Sequence, residues 1–315
     1  MAKLSRSPSN KCLFFKVKAI VKKDYQKLHM RILVTGAAGL IGRKLTDHLC
    51  NVGYEVIPVY FGQQKGSICA DLRDEATVFS LVKEHTPDLI LHLAALKNLR
   101  FCEDNKKASR ATNYGITEVL TKICSESKIR MIFFSSDYVF GKYDHFWKET
   151  DSPCPTTQYG MDKASSEFLI QEKLSDYAIV RTAQLYGFRG DFVSLVWDAL
   201  TSNQEFIAFA NLVNCPTWID DLFAMLNKII GHGSQGIFHC VGPEAVSRYK
   251  YACEIAEAFA LDSSYIKPVN LDFANDIRPP VVRLNGASTY DSLQVYPGTL
   301  KDNLPFCSSY TIKGN

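Results

Sequence analysis

The 315-residue sequence predicts an α/β protein with a doubly wound parallel sheet and a smaller C-terminal lobe. Three observations predict it. From Met30 onward short apolar runs alternate with stretches of helical periodicity, the pattern of parallel strands with helices on both faces. The first of those runs ends in a glycine-spaced turn that leads into a helix. The composition, 46% hydrophobic and 22% charged, is that of a globular protein and excludes wholesale disorder.

The elements follow in order. Arg31-Ile32-Leu33-Val34 reads as a buried strand, and the helical stretch beyond the glycine turn runs through Leu49. Glu55 to Tyr60, opening after Gly53, is the second strand, and Ile68 to Ala70 is a third. Residues 74–85 read as a helix because Val78, Leu81 and Val82 fall on one face. Leu89 to Leu93 is the fourth strand, a long helix covers residues 104–127, and Met131 to Ser135 is the fifth strand. A helix beginning near Tyr159 leads to the sixth strand, Ala178 to Arg181. Right-handed crossovers between these strands produce the double winding. Beyond residue 187 the alternation loosens, and helices over 190–202, 219–231 and 247–260 are separated by loops rich in Asn, Pro and Gly. The expected division is a basic, disordered extension over 1–29, a first domain over 30–187, and a smaller lobe over 188–315 with some segments returning to the sheet.

Charge and cysteine usage exclude several classes of function. The net charge of +3 divides into +7 over residues 1–29 and −4 over the remainder. An acidic body gives no reason to expect a nucleic-acid partner. The ten cysteines form no Cys-x-x-Cys pair and the seven histidines show no ligand spacing. Neither a metal site nor a disulfide framework is expected, and free thiols suit the cytoplasm. No apolar run approaches the roughly 18 residues of a membrane helix, so no membrane partner is expected. Leu13-Phe14-Phe15 is too short for a signal-peptide core, although a basic tail leaves organelle targeting open.

Two constellations carry chemistry. In Thr35-Gly36-Ala37-Ala38-Gly39-Leu40-Ile41-Gly42, Gly36 permits a tight turn out of the strand and Gly39 a close backbone approach to a pyrophosphate. Gly42 permits close packing of helix on sheet, and the helix N-terminus offers free N–H groups to phosphates. This places a dinucleotide on Gly36, Ala38, Gly39, Leu40, Ile41 and Gly42, in a Rossmann-type fold. In Tyr159-Gly160-Met161-Asp162-Lys163, four-residue spacing puts Tyr159 and Lys163 on one helix face. A phenol with a pKa near 10 needs a neighbouring cation to work as an acid near neutrality. Ser136, at the end of the fifth strand, stands at the sheet edge where ligands bind and can donate to a carbonyl oxygen.

These residues together resemble the extended short-chain dehydrogenase/reductase superfamily. The resemblance implies catalytic roles for Ser136, Tyr159 and Lys163, with Tyr159 and Lys163 also touching the cofactor. It implies cofactor contacts for Leu93, Ala94 and Ala95 in His92-Leu93-Ala94-Ala95, and an adenine contact for Asp71 and Leu72. It also matches Asn113 to an asparagine of the intervening helix. Ser135-Ser136-Asp137-Tyr138-Val139-Phe140-Gly141, Val180-Arg181-Thr182, Cys215-Pro216-Thr217 and Arg278-Pro279-Pro280 narrow the resemblance to the dTDP-4-dehydrorhamnose reductases, from Met30 to Leu304. Substrate contacts are then implied for Asp137, Tyr138 and Arg278, with the lobe over 188–315 mainly substrate-binding. The same pattern resembles the regulatory β-subunit of methionine adenosyltransferase, especially over Gly236 to Ser264.

The departures lie on the substrate side. Ala183-Gln184 stands where the reductases carry a Trp, and Ala210-Asn211-Leu212-Val213-Asn214 replaces an acidic loop. The second strand ends in Tyr60-Phe61-Gly62-Gln63-Gln64-Lys65, with no carboxylate for a ribose 2′-hydroxyl. NADP(H) is therefore favoured over NAD(H), with Lys65 facing the 2′-phosphate. The expected activity is reduction of a keto group on a nucleotide-linked deoxysugar by a monomer or homodimer. The alternative is an NADP-binding regulatory subunit partnered with a methionine adenosyltransferase catalytic subunit. A nucleotide-sugar epimerase or dehydratase is the third reading.

Overall fold

The computed structural model describes residues 30–62 and 67–307. Seven parallel strands form the central sheet. They are β1 (Arg31–Thr35), β2 (Glu55–Tyr60), β3 (Ile68–Cys69), β4 (Leu89–His92), β5 (Arg130–Ser136), β6 (Tyr177–Thr182) and β7 (Gly236–His239), in the order β7-β6-β5-β4-β1-β2-β3. The chain winds outward from β1 in one direction through β2 and β3, then in the other through β4, β5 and β6. The reversal leaves a crevice outside the carboxyl ends of β1 and β4.

The helices are α1 (Leu40–Val52), α2 (Glu75–His85), α3 (Leu99–Asp104), α4 (Lys106–Asn113), α5 (Gly115–Ser127), α6 (Gln158–Lys173), α7 (Phe192–Thr201), α8 (Ile219–His232), α9 (Arg248–Ala258), α10 (Ala287–Leu293) and α11 (Leu300–Asn303). Strand side chains alternate between the two faces of the sheet. Ile32, Val34, Leu89, Leu91, Ile132 and Phe134 face a core closed by α1, α8 and α10. Leu33, Ile90, Met131, Phe133 and Ile179 face a second core closed by α2, α5 and α6. Both faces being covered is why these strands read as continuous apolar runs. Each fully buried Leu, Ile or Phe contributes roughly 1.5–3 kcal/mol over its exposed state. A third core packs α7 against α9 through Val196, Leu200, Tyr251 and Ile255, beside the parallel pair Phe206–Phe209 and Ile266–Val269. Among the described residues no helix is long and apolar enough to cross a membrane.

Two features depart from the sequence expectations. The helix expected over 104–127 is three successive helices, α3, α4 and α5, beginning at Leu99. The breaks fall at Asn105, with φ −129° and ψ 56°, and at Tyr114. Near the second break the carbonyl of Asn113 accepts from the hydroxyls of Thr117 (3.1 Å) and Ser166 (3.2 Å), which compete with the helical ladder. The seventh strand, β7, escaped the pattern because only Ile237 and Phe238 make up its apolar run. It adds to β6 with Gly236 opposite Ala178 and His239 opposite Arg181, after α8 has returned across the sheet.

Candidate active site

β1 ends at Thr35, and Gly36 turns the chain with φ +70°. A Cβ at Gly36 would stand 2.8 Å from the amide nitrogen of Ala94, so the exit of β4 lies directly against this turn. A Cβ at Gly42 would stand 2.2 Å from the carbonyl oxygen of Gly36, so α1 packs on the turn with no room for a side chain. At Gly39, the N-cap of α1, no side chain caps the helix. The first amides of α1, at Leu40, Ile41 and Gly42, thus have no intrahelical acceptor and offer themselves to an anion. Leu40 is exposed, and Ala38 lies on the open side of the turn.

Beneath the turn, Thr35 and His92 bind β1 to β4. Thr35 Oγ1 accepts from the amides of Leu93 (3.1 Å) and Ala94 (3.2 Å). Its own proton therefore goes to His92 Nδ1, 2.8 Å away. His92 Nε2–H donates to Thr117 Oγ1 at 3.1 Å, and Thr117 passes its proton to the carbonyl of Asn113. Burial, with Lys163 nearby, lowers the His92 pKa to about 3, so the ring is neutral. Asn113 Oδ1 accepts from the Leu96 amide at 2.7 Å and its Nδ2 donates to the Leu96 carbonyl, fixing the loop that carries Leu93, Ala94 and Ala95.

Ser136 ends β5, opposite Thr182 of β6. The chain then makes one 3₁₀ turn, Asp137–Val139. Tyr159 lies in the first turn of α6, which Thr157 caps by accepting from the Gly160 amide. A Cβ at Gly160 would stand 2.0 Å from the Tyr138 carbonyl oxygen. This close approach seats Tyr159 beside Ser136, with the Tyr138 and Tyr159 rings edge to face at 6.3 Å. One turn on, Lys163 is buried with Nζ 4.4 Å from the Phe133 ring centroid and 5.9 Å from that of Tyr159. Its ammonium donates to the carbonyl of Phe134 at 2.8 Å. Helical spacing joins Tyr159 to Lys163, and the close approach of Gly160 to Tyr138 brings the pair to the strand end that carries Ser136.

The electrostatics are set by burial. It lowers the Lys163 pKa to about 7, against the pull of Glu167 and Asp162. It pushes the Tyr159 hydroxyl upward; the charge of Asp137 adds to this and a hydrogen bond with Ser136 opposes it. Asp137 is raised to about 6, chiefly by burial, with Ser136 and Arg248 pulling the other way. The Ser136 hydroxyl donates to Asp137 Oδ1 at 2.9 Å and accepts from the Tyr138 amide at 3.2 Å.

Behind the site, Glu167 takes a two-pronged bond from Arg181, with Nη2 2.7 Å from Oε2 and Nε 3.0 Å from Oε1. Both side chains are 1% exposed. Arg181 Nη1 reaches His239 Nε2 at 3.2 Å, while His239 Nδ1–H donates to the Asn285 carbonyl. On the lobe side, Arg278 pairs with Asp276 at 2.8 Å and lies over the Phe209 ring at 5.0 Å. A cavity of about 320 Å³ opens there, lined by Glu103, Gly141, Thr156, Asp276, Arg278 and Pro280.

The remaining expected contacts lie farther along the edge. Asp71 and Leu72 follow β3; Leu72 is buried in the second core, and Asp71 holds the Arg73 guanidinium through both carboxylate oxygens, which lowers the carboxyl to about 2. Lys65 lies outside the described residues. Two cations escaped the sequence reading. Arg73 stands 5.6 Å from the Phe61 ring at the end of β2. Arg248, the first residue of α9, lies 4.9 Å from the Phe192 ring within electrostatic reach of Asp137 and Tyr138. Only the fold brings these to the edge, because neither sits in a spaced motif. Among the described residues no group of three or more His, Cys, Asp or Glu side chains could hold a metal.

Comparison with known proteins agrees with this architecture. The chain is 29% identical over 249 residues to a Haloferax volcanii protein named as a probable low-salt glycan biosynthesis reductase, covering 76% of this chain and 83% of that one. It is also 29% identical over 264 residues to the methionine adenosyltransferase 2 subunit beta of Xenopus laevis, covering 79% and 78%. The fold is that of a dTDP-4-dehydrorhamnose reductase from Bacillus anthracis solved in complex with NADP, with a TM-score of 0.80 at 23% identity, covering 91% of this chain and 99% of that one. The RmlD substrate binding domain model matches residues 30–304, and the chain belongs to that family.

Proposed function

We propose that this protein reduces a keto group on a nucleotide-linked deoxysugar, as a dTDP-4-dehydrorhamnose reductase does, using a nicotinamide cofactor. The carrying observation is the convergence of Ser136, Tyr159 and Lys163 at the sheet edge, beside the Gly36–Gly42 turn. The turn fits a dinucleotide: α1 starts without a side-chain cap, and a Cβ at Gly39 would meet only the Gly36 carbonyl. When bound, that cofactor supplies hydride. Gly36, Ala38, Gly39, Leu40, Ile41 and Gly42 hold its phosphates, and Leu93, Ala94 and Ala95 flank it. Asp71 and Leu72 border the adenine. The end of β2 carries no carboxylate, and Arg73, held by Asp71, supplies a cation beside it, which favours NADP(H) over NAD(H).

Tyr159 gives its proton to the carbonyl oxygen as charge develops there. Ser136 hydrogen-bonds the same oxygen. The Lys163 ammonium makes the phenolate easier to form and holds the ribose. Asp137, Tyr138 and Arg278 contact the substrate, which the lobe over 188–315 encloses. Cofactor oxidation with dTDP- and UDP-linked 4-keto-6-deoxy sugars tests the reading. Wild type turns over, and Tyr159→Phe loses at least about a hundredfold in kcat while keeping its fold. No turnover, or an unimpaired Tyr159→Phe, overturns it.

The likeness to the methionine adenosyltransferase β-subunit supports a second reading, a cofactor-binding regulatory chain. Stoichiometric co-purification with a methionine adenosyltransferase catalytic chain, without sugar turnover, would select it.

A further inference from the structure

The hydroxyl of Ser136 has one proton and three claims upon it. In the structure it is given to Asp137 Oδ1 at 2.9 Å, while the oxygen accepts the Tyr138 amide. The same hydroxyl lies near enough to Tyr159 to bear on its ionisation, and the reaction asks it to donate to the substrate carbonyl. While Asp137 is ionised, that proton is committed to the carboxylate. Once Asp137 is protonated the bond reverses: the carboxyl donates to Ser136 Oγ, and the serine proton is released toward the substrate and Tyr159.

We propose that protonated Asp137 is the end of a relay that passes a proton through Ser136 to Tyr159, replacing the one Tyr159 gives to the reduced carbonyl. This rests on the reductase reading above. The steps balance. Tyr159 Oη–H transfers to the alkoxide oxygen and leaves a phenolate. The Ser136 Oγ–H bond breaks as a bond to Tyr159 Oη forms, and the Asp137 carboxyl proton moves to Ser136 Oγ. The sum is one proton from Asp137 to the alcohol product, with Asp137 left as carboxylate until solvent recharges it between turnovers. Ser136 serves in succession, on the carbonyl oxygen before transfer and on the phenolate after it.

Lys163 is not aimed for this task. Its ammonium donates to the Phe134 carbonyl, and Nζ is 5.9 Å from the Tyr159 ring centroid. Asp137 is 5% exposed, and among the described residues no Lys or Arg comes within ion-pair distance of it. The groups that face it are Ser136 and Tyr138 from its own turn, Tyr159 from α6, Cys215 from the loop before α8, and Arg248 from α9. Arg248 favours the carboxylate and burial opposes it. The balance near 6 lets Asp137 hold a proton in a closed site and release it to a phenolate.

The test compares kcat against pH for wild type, Asp137→Asn and Asp137→Glu, with cofactor affinity by calorimetry as a control. Wild type loses kcat as pH rises through one ionisation. Asp137→Asn is at least about tenfold slower with that limb gone, binds cofactor within about twofold of wild type, and is partly rescued by Asp137→Glu. If Asp137→Asn does not fold, Ser136→Ala, which cuts the relay and leaves Asp137 in place, must flatten the same limb. A turnover-independent readout is carbon-13 NMR of labelled aspartate, in which one carboxyl titrates near 6 and is missing in Asp137→Asn. An Asp137 midpoint at the ordinary carboxylate value of about 4 overturns the relay. So does turnover with an unaltered pH profile in Asp137→Asn, which leaves the reductase reading standing. No turnover by wild type removes both.

Discussion

Thr35 gives its hydroxyl proton to Nδ1 of His92 at 2.8 Å and takes the amides of Leu93 and Ala94 in return, so one threonine fastens the exits of β1 and β4 at the point where the strand order reverses. Thr35→Val leaves two amides and a ring nitrogen without their partner. It should cost about 1–3 kcal/mol in urea unfolding and weaken cofactor binding, because Gly36 loses the abutment of Ala94. His92 adds a pH dependence. Its folded pKa, about 3, is below the unfolded value near 6.5, so the unfolded chain binds the extra proton between those limits. Stability from this group is present above about pH 6.5 and declines as pH falls toward 3. Thermal melts at pH 5 and 7 should show a smaller difference in His92→Gln than in wild type.

Lys163 has the opposite sense to a paired lysine. Burial depresses its pKa to about 7, against about 10.4 when unfolded. Unfolding takes up a proton between those values, so this group makes stability rise with pH from 7 toward 10.4. Lys163→Met should raise the melting temperature at neutral pH and flatten that slope, while abolishing turnover.

Glu167 and Arg181 form a buried pair behind Lys163. Glu167→Gln or Arg181→Met alone should cost roughly 3–5 kcal/mol by denaturant unfolding, since each strands a buried partner. The double variant Glu167→Leu/Arg181→Met should cost less than the two singles together.

Glycine positions separate packing from propensity. Gly42→Ala drives a methyl into the Gly36 carbonyl and should lose about 1–3 kcal/mol with a large loss of cofactor affinity. Gly231→Ala, in α8 with nothing within 4 Å of its added Cβ, should gain about 0.5–1 kcal/mol.

Arg73 supplies a cofactor test. Arg73→Ala should reduce the preference for NADPH over NADH by at least about tenfold, the worth of a lost charge-assisted hydrogen bond. An equal loss for both cofactors would place the guanidinium elsewhere than on the 2′-phosphate.

Much of this arrangement is written in local sequence. The strands β1, β4, β5 and β6 are legible because burial on both faces demands apolar runs, β2 because its apolar residues follow the turn at Gly53, and Tyr159 and Lys163 because helical spacing alone puts them together. The strand β7 is illegible: its pairing with β6 is decided by the return of α8, not by its own four residues. The bond from Ser136 to Asp137 is also hidden, since adjacent strand residues ordinarily point apart and only the 3₁₀ turn at Asp137 lets them meet. Arg73 and Arg248 read as surface charges until the turns after β3 and before α9 are placed.

The most direct measurement is isotope transfer. NADPH carrying deuterium at the transferable position is incubated with a dTDP-linked 4-keto-6-deoxy sugar and the wild-type protein, and the sugar product is weighed by mass spectrometry. Reduction predicts one deuterium on the product carbon for each cofactor oxidised, with none appearing for Tyr159→Phe over the same interval. An unlabelled product, or a sugar left unchanged while the protein binds NADPH, would contradict a reductase built on Ser136, Tyr159 and Lys163.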